Sequence, residues 1–181
     1  MTRKTGFVAA VFIGLSVCVG LGASQAVFAA GMAENKLPPK QIVHRKEIKV
    51  LIQVNSRGTL PNGVSKQVMA TKMLLNQYAA LKMKSGKNYK VVMVFRAAGA
   101  QFLLNDAAYD RKVKQPHPPG NPNRAILQML HKRGVKMYEC HVAMKMKGYK
   151  AKDLLPFSRM VTTGIGAVVD FGTSGYLVVT P

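Results

Sequence analysis

Cysteine is scarce in this sequence, whose 181 residues contain two cysteines, Cys18 and Cys140. Cys18 lies in an N-terminal segment that we expect to be removed, so Cys140 remains as a single thiol and an intramolecular disulfide is excluded. In an oxidising compartment an unpaired cysteine is normally buried, paired between chains or used chemically. Cys140 is therefore the first candidate for a functional residue.

The sequence also lacks the motifs that identify common hydrolases and zinc sites. It contains no Ser-centred nucleophile elbow, no Cys-x-x-Cys and no His-Glu-x-x-His. Its aspartates, at positions 106, 110, 153 and 170, show no spacing typical of paired catalytic carboxylates. These absences leave hydrolase and zinc interpretations without support, and we expect no cofactor.

Acidic residues are few, with seven Asp and Glu against 27 Lys and Arg, a formal net charge of +20. Arg3 and Lys4 lie in the N-terminal segment, so the rest of the chain has 25 basic and seven acidic residues, a formal charge of +18. Such a charge is typical of nucleic-acid binding, but the lysines are scattered and the aromatics show no stacking pattern, so we expect no nucleic-acid partner. Two interpretations remain open. One is an anionic protein, lipid surface or small anion as partner. The other is an acidic medium, which a chain poor in carboxylates tolerates because it has few groups whose protonation would unfold it.

The N-terminal segment has the three parts of a secretory signal peptide. Arg3 and Lys4 form a positive start, residues 7–21 are uncharged and apolar or small, and Val27-Phe28-Ala29 fits the small-x-small cleavage rule. A retained membrane anchor is the alternative, but a spanning helix needs about twenty apolar residues, and the run is shorter. We therefore expect a cleaved signal peptide at residues 1–29, a periplasmic protein, and no membrane span after cleavage.

The chain beyond the signal peptide divides into an arm and one domain. Residues 30–47 are polar and contain Pro38-Pro39, which predicts an exposed arm. Apolar strands alternate with helical patterns over residues 48–181, and the strands are predicted at 48–54, 89–95, 135–139, 160–162 and 176–180. Strands that are apolar on both sides predict a parallel sheet covered on two faces. We predict an α/β fold, a single flavodoxin-like three-layer domain with about five mostly parallel strands. Within it, residues 106–123 contain four prolines and are predicted to form an irregular, flexible loop.

The loops after the first three strands predict the functional site, because ligands of open parallel sheets bind beyond the carboxyl ends of the strands. Cys140 ends a strand and begins a helix, where free backbone N–H groups favour the thiolate. A packed core cysteine is an equally good interpretation of this position, since free cysteines are commonly buried. The candidate residues are Ser56, Arg57, Arg96, Gly99, Cys140 and His141.

A copper site is a further alternative. Cys140, His141 and Met144 offer thiolate, imidazole and thioether groups within five residues, and soft ligands of this kind select Cu(I). Most methionines of the chain, however, occupy apolar positions of predicted strands and helices, where packing explains them.

The C-terminal half resembles the DsrE/DsrF-like family. The resemblance is carried by residues 136–148, in which a strand ends in Cys140 and a short helix ends at Gly148, by Asp153-Leu154-Leu155-Pro156, and by Gly175-Tyr176 before Pro181. It implies a compact α/β domain that assembles into homo-oligomers. In the sulfur-relay members the cysteine of this segment carries sulfur as a persulfide, a role that would fall on Cys140.

Two features depart from this family. Many members have His-Gly after the second strand, where this chain has Arg96-Ala97-Ala98-Gly99, and relay proteins are typically cytoplasmic. We expect a periplasmic sulfur-trafficking or sulfur-binding protein, a carrier rather than a turnover enzyme, in which Arg96 helps to hold an anionic sulfur species or the sulfur comes from a donor protein. The alternatives are a non-catalytic oligomeric binding module with a packed cysteine, and a Cu(I)-handling protein.

Cleavage of the signal peptide is directly testable by intact mass. The exported protein is expected to begin at or near Ala30, since Val27-Phe28-Ala29 provides the cleavage motif. Replacing Ala29 by a bulky residue such as Leu should block or shift the cut. A full-length species in the membrane fraction of cells that express the unchanged chain would contradict cleavage.

Overall fold

A computed structural model describes residues 46–181 of the chain. The predicted signal peptide and the predicted arm up to residue 45 lie outside the described residues, so both stay predictions. None of the helices between residues 46 and 181 is long and apolar enough to cross a membrane.

The described residues form five strands and five α-helices, together with two short 3-10 helices. The β-branched and apolar runs of the sequence become strands, and side-chain oxygens of Ser65, Asn105 and Thr163 accept N–H bonds at the starts of three helices. In chain order the elements are β1 (Ile48–Val54), α1 (Lys66–Ala80), β2 (Tyr89–Phe95), a 3-10 helix (Ala97–Leu103), α2 (Asp106–Lys112), α3 (Arg124–Lys132), β3 (Lys136–Cys140), α4 (His141–Lys147), a 3-10 turn (Ala151–Asp153), β4 (Arg159–Val161), α5 (Gly164–Thr173) and β5 (Leu177–Val179).

The five strands form one parallel sheet in the order β4-β3-β2-β1-β5. The longest pairing joins β1 to β2 over seven residues, from Ile48 opposite Tyr89 to Val54 opposite Phe95. The prediction of an α/β, flavodoxin-like layered fold is confirmed, and every strand pairing is parallel.

The helices lie on both faces of the sheet because parallel crossovers are right-handed. From β1 to β4 each new strand is added on the same side of the last, so the helices between them cover one face, and Val68, Leu127 and Met144 pack there with Met93. The connection from β4 to β5 runs back past β1, so α5 lies on the opposite face, where Ala167 packs against other strand residues. We call these the four-helix face and the α5 face.

Residues 106–123 differ in part from the predicted loop. The first seven residues form α2, and Asn105 caps this helix by accepting the N–H of Ala108 at 2.9 Å. Farther along, the buried amide of Asn121 donates to the carbonyl oxygens of Phe102 at 2.9 Å and Leu104 at 2.6 Å. The prediction of an irregular loop is wrong for α2 and correct for residues 113–123, which contain no helix or strand. Side-chain hydrogen bonds tie this segment to its neighbours, which hydrophobic periodicity does not reveal, and its flexibility stays a prediction.

Replacing Asn121 should destabilise the domain. Asn121→Ala removes the donor of two carbonyl groups, and leaving buried polar groups unpaired costs roughly 2–4 kcal/mol in the free energy of unfolding, measurable by urea denaturation. Asn62→Ala is the control, since Asn62 is exposed and accepts one loop N–H at 3.2 Å; it should cost less than about 1 kcal/mol. Equal losses for the two variants would contradict the role given to Asn121.

Candidate functional site

The carboxyl ends of β3 and β4 are the point at which the chain changes sides of the sheet. After β3 the chain enters α4 on the four-helix face, whereas after β4 it enters α5 on the other face. Adjacent parallel strands that lead to opposite faces leave a crevice between their loops, which is the usual ligand position in open α/β sheets. Cys140 is the last residue of β3 and pairs with Val161 of β4, so it lies at this crevice.

The sulfur atom of Cys140 accepts two backbone N–H groups. Gly164 N lies 3.0 Å from Sγ and Ala143 N lies 3.4 Å from it. Both contacts stabilise negative charge on the sulfur, because N–H dipoles point at it. The side chain is a free thiol with 6% of its surface exposed, packed with Ala100 and Ala143. The site therefore combines a polar environment for the sulfur with limited access.

Gly164 lies between Cys140 and Arg96 and brings their backbones close together. A Cβ atom at Gly164 would come within 2.7 Å of Arg96 Cβ and 3.1 Å of Cys140 Cβ, so no larger residue fits without displacing one of the two. Arg96 Nε donates to Gln53 Oε1 at 2.8 Å. Within residues 46–181 no carboxylate forms an ion pair with Arg96. Arg96 therefore stands across Gly164 from Cys140, and its guanidinium group forms no ion pair with a described carboxylate.

The turn after β2 is constrained by a close backbone approach. A Cβ atom on Gly99 would lie 2.1 Å from the carbonyl oxygen of Val54, so Gly99 is required for packing of the 3-10 helix against β1. Ala97, two residues earlier, has φ +49, the left-handed region that disfavours residues other than glycine. Strain of this kind persists when the surrounding structure enforces it and is frequent at functional sites.

Glu139 is a buried carboxyl group beside Cys140 that the sequence analysis missed. Its side chain is fully buried on the four-helix face, opposite Phe95 of β2. Oε1 accepts the N–H of Cys140 at 3.1 Å, while Oε2 has no hydrogen-bond partner among residues 46–181. The available signal was a glutamate inside an otherwise apolar strand, directly before the cysteine.

Burial raises the pKa of the Glu139 carboxyl well above its usual range. The N–H of Cys140 acts in the opposite direction, and negative charge on Cys140 raises the pKa further. Tyr149, which packs beside Cys140, also has a raised pKa, first because it is buried and then because of the charge on Glu139. Glu139 therefore keeps its proton to higher pH than an exposed glutamate does.

The other predicted residues lie in different surroundings. Ser56 Oγ accepts the N–H of Gly58 at 2.9 Å and shapes an exposed turn. Arg57 is exposed and lines a separate small cavity with Tyr109. His141 is the exposed first residue of α4. The structure thus brings Arg96 and Cys140 to the crevice, gives Gly99 a place in the turn beside it, and leaves Ser56, Arg57 and His141 outside that group.

The geometry does not gather the ligands of the copper alternative. Cys140 packs with Ala100 and Ala143, Met144 is buried in the larger core on the four-helix face, and His141 is exposed. Among residues 46–181 no three His, Cys, Asp or Glu side chains form a group that could hold a metal ion.

Comparison with known proteins identifies both a family and a fold. The family model described as "DsrE/DsrF-like family" matches residues 62–181. No curated protein matches the sequence. A protein of unknown function from Methanobacterium thermoautotrophicum, MTH1491, is 16% identical, with a TM-score of 0.54 over 75% of this chain and 100% of its own. The ychN protein from E. coli is 13% identical, with a TM-score of 0.51 over 74% of this chain and 99% of its own. Identities this low show a shared fold alone.

The protonation of Glu139 should appear in the pH dependence of stability. A raised pKa means that the folded protein binds this proton more tightly than the unfolded chain, whose value is near 4.5. The resulting stability is fully present below that value and is lost as the pH rises through the folded pKa.

Relative to Glu139→Gln, the wild-type protein should therefore lose stability between pH 5 and pH 8, because the unfolded chain has released this proton while the folded protein still holds it. Urea denaturation at both pH values measures this difference. The exposed Glu47 provides the control variant Glu47→Gln, for which the difference should stay small. A pH-independent difference for Glu139→Gln would show that Glu139 is ionised in the folded protein.

Proposed function

The chain belongs to the DsrE/DsrF-like family, and from this premise we propose that it is a periplasmic carrier that holds sulfane sulfur as a persulfide on Cys140. Membership of the family suggests a role in sulfur relay. The observation that carries the finer proposal is the contact of Cys140 Sγ with the N–H groups of Gly164 and Ala143 at the β3–β4 crevice. Export is proposed from the N-terminal sequence pattern.

The proposed loading step is a nucleophilic displacement. With thiosulfate as donor, the Cys140 thiolate attacks the sulfane sulfur, a new S–S bond forms, and the bond between the sulfane sulfur and the sulfonate group breaks. Sulfite leaves with the bonding electron pair, and Cys140 holds a persulfide anion. Charge and atoms balance without an added oxidant or reductant. The N–H groups that stabilise the thiolate are available to the sulfur that replaces it.

Arg96 supports this step as the group that attracts and orients an anionic donor. Its Nε bond to Gln53 holds the guanidinium group in place at 2.8 Å, and its remaining N–H groups form no ion pair among residues 46–181. Guanidinium groups form charge-assisted bonds with oxyanions. The formal charge of +18 beyond the leader adds a long-range attraction for anions.

Glu139 supports the thiolate by remaining neutral. An ionised carboxylate beside Cys140 would oppose negative charge on the sulfur, whereas a protonated one does not. Burial on the four-helix face favours the protonated form of Glu139. We therefore assign Glu139 a positioning role, in which it also holds the N–H of Cys140.

A non-catalytic oligomeric binding module is the second candidate, and the limited exposure of Cys140 favours it.

Oligomer formation is compatible with both candidates. Ile165 and Val169 of α5 are 59% and 57% exposed, and they lie one helical turn apart on one side of the helix. We propose that this apolar stripe of α5 contacts another copy of the chain.

The sulfur-carrier proposal is tested by intact mass after incubation of the mature protein with thiosulfate or polysulfide. We expect a gain of one or more sulfur atoms that a reducing thiol removes and that Cys140→Ser abolishes. Arg96→Gln should slow loading on the order of tenfold, because a hydrogen bond to a charged group contributes roughly 1.5 kcal/mol. The matched control is Arg159→Gln, which removes the same charge from an exposed position on β4 and should load at nearly the wild-type rate.

The packed-cysteine alternative predicts a different outcome. If the wild-type protein gains no sulfur, and its native thiol resists alkylation until the protein is unfolded, Cys140 serves packing and the carrier proposal is wrong. Circular dichroism of Cys140→Ser confirms that any loss of loading reflects the missing thiol rather than unfolding.

A further inference from the structure

A small cavity lies beside the 3-10 helix, next to the Cys140 site. Its volume is about 80 Å³, and its lining includes Arg57, Gln101, Tyr109 and His117. Ala100, the residue before Gln101, packs against Cys140. Consecutive residues of the 3-10 helix thus contact the thiol and the cavity.

Gln101 is the least expected residue of this lining. Its side chain is 6% exposed, yet its amide forms no hydrogen bond with another residue in the described part of the chain. Its amide atoms keep some accessible surface, since the fully enclosed polar side-chain atom without a partner among residues 46–181 is Glu139 Oε2. A ligand in the cavity would supply the missing partner.

Tyr109 adds a second donor without a protein partner. It is 2% exposed, and its ring meets the His117 ring edge-on at a centroid distance of 4.8 Å. Its hydroxyl group has no hydrogen bond to another residue of the described chain. Burial raises the pKa of Tyr109, so the phenol keeps its proton and remains a donor.

Arg57 supplies positive charge to the same cavity. The ion pairs within residues 46–181 are Arg111–Asp153, His117–Asp110 and Arg124–Asp106, so its guanidinium group is not neutralised by a carboxylate there. The Asp110 carboxylate lies 3.7 Å from His117 Nδ1 and also accepts the N–H of Gly120 at 2.8 Å. The lining is therefore rich in donors, and its cationic group is unpaired.

We propose that this cavity binds a small tetrahedral oxyanion of the sulfate, phosphate or thiosulfate class. Arg57 would neutralise the charge, while the Gln101 amide and the Tyr109 hydroxyl would donate to its oxygen atoms. The cavity volume of about 80 Å³ exceeds the roughly 10–15 Å³ that one enclosed water molecule requires on the same measure, so the cavity has room for a small ligand. The site is non-covalent and does not require the thiol, so anion binding there can be measured without sulfur transfer.

Isothermal titration calorimetry on the mature protein tests this site with sulfate, phosphate and thiosulfate, at constant ionic strength set by chloride. We expect saturable binding at one site per chain. Arg57→Gln and Gln101→Leu should each weaken it at least tenfold, whereas the charge-matched Arg159→Gln should change it less than twofold. Tyr109→Phe, which removes only the hydroxyl group, serves as the second variant if Gln101→Leu does not fold.

The thiol variant separates this proposal from the carrier function. Cys140→Ser should bind the anions as tightly as the wild-type protein, even though it cannot be loaded with sulfur. Similar affinity for all three anions identifies a general tetrahedral-oxyanion site, and preference for thiosulfate identifies a sulfur-donor site; both support the proposal. Equal weakening by Arg57→Gln and Arg159→Gln, or the absence of saturation, would show non-specific attraction to a basic protein and overturn it.

Discussion

The structure depends on the opposite directions in which the chain leaves β3 and β4. Right-handed crossovers carry each connection from β1 to β4 over one face of the sheet, and the return to β5 carries α5 over the other. The loop after β4 therefore meets the loop after β3 at the carboxyl edge. The contact of Gly164 with Cys140, and the position of Arg96 beside them, follow from that reversal.

The last two residues of β3, Glu139 and Cys140, lie in different environments. Side chains alternate across a strand, so Glu139 points into the four-helix face, whereas Cys140 ends the strand at the crevice. Their contact is made through the backbone N–H of Cys140. A carboxyl group can thus influence the charge of the sulfur without occupying the space in which a ligand would meet it.

The sequence allowed the fold and the central cysteine to be predicted because both depend on local patterns. Apolar strands alternate with helical segments, and Cys140 stands at a strand-to-helix junction whatever the tertiary structure. The rest depends on contacts between distant segments. The approach of Gly164 to Arg96 requires the strand order, the burial of Glu139 requires its neighbouring strands and helices, and the order of residues 106–123 requires Asn121 to reach the carbonyl groups of another segment.

The position of β5 has a consequence for how the chain folds. β1 lies between β2 and β5, and Val50 pairs with Leu177. During synthesis, β1 emerges early and can pair with β2, but its other edge stays open until β5 has been made. Closing such a distant contact costs loop entropy and slows folding. Until β5 is in place, the folding chain therefore carries an open edge on β1, and an open strand edge of this kind can pair with other chains.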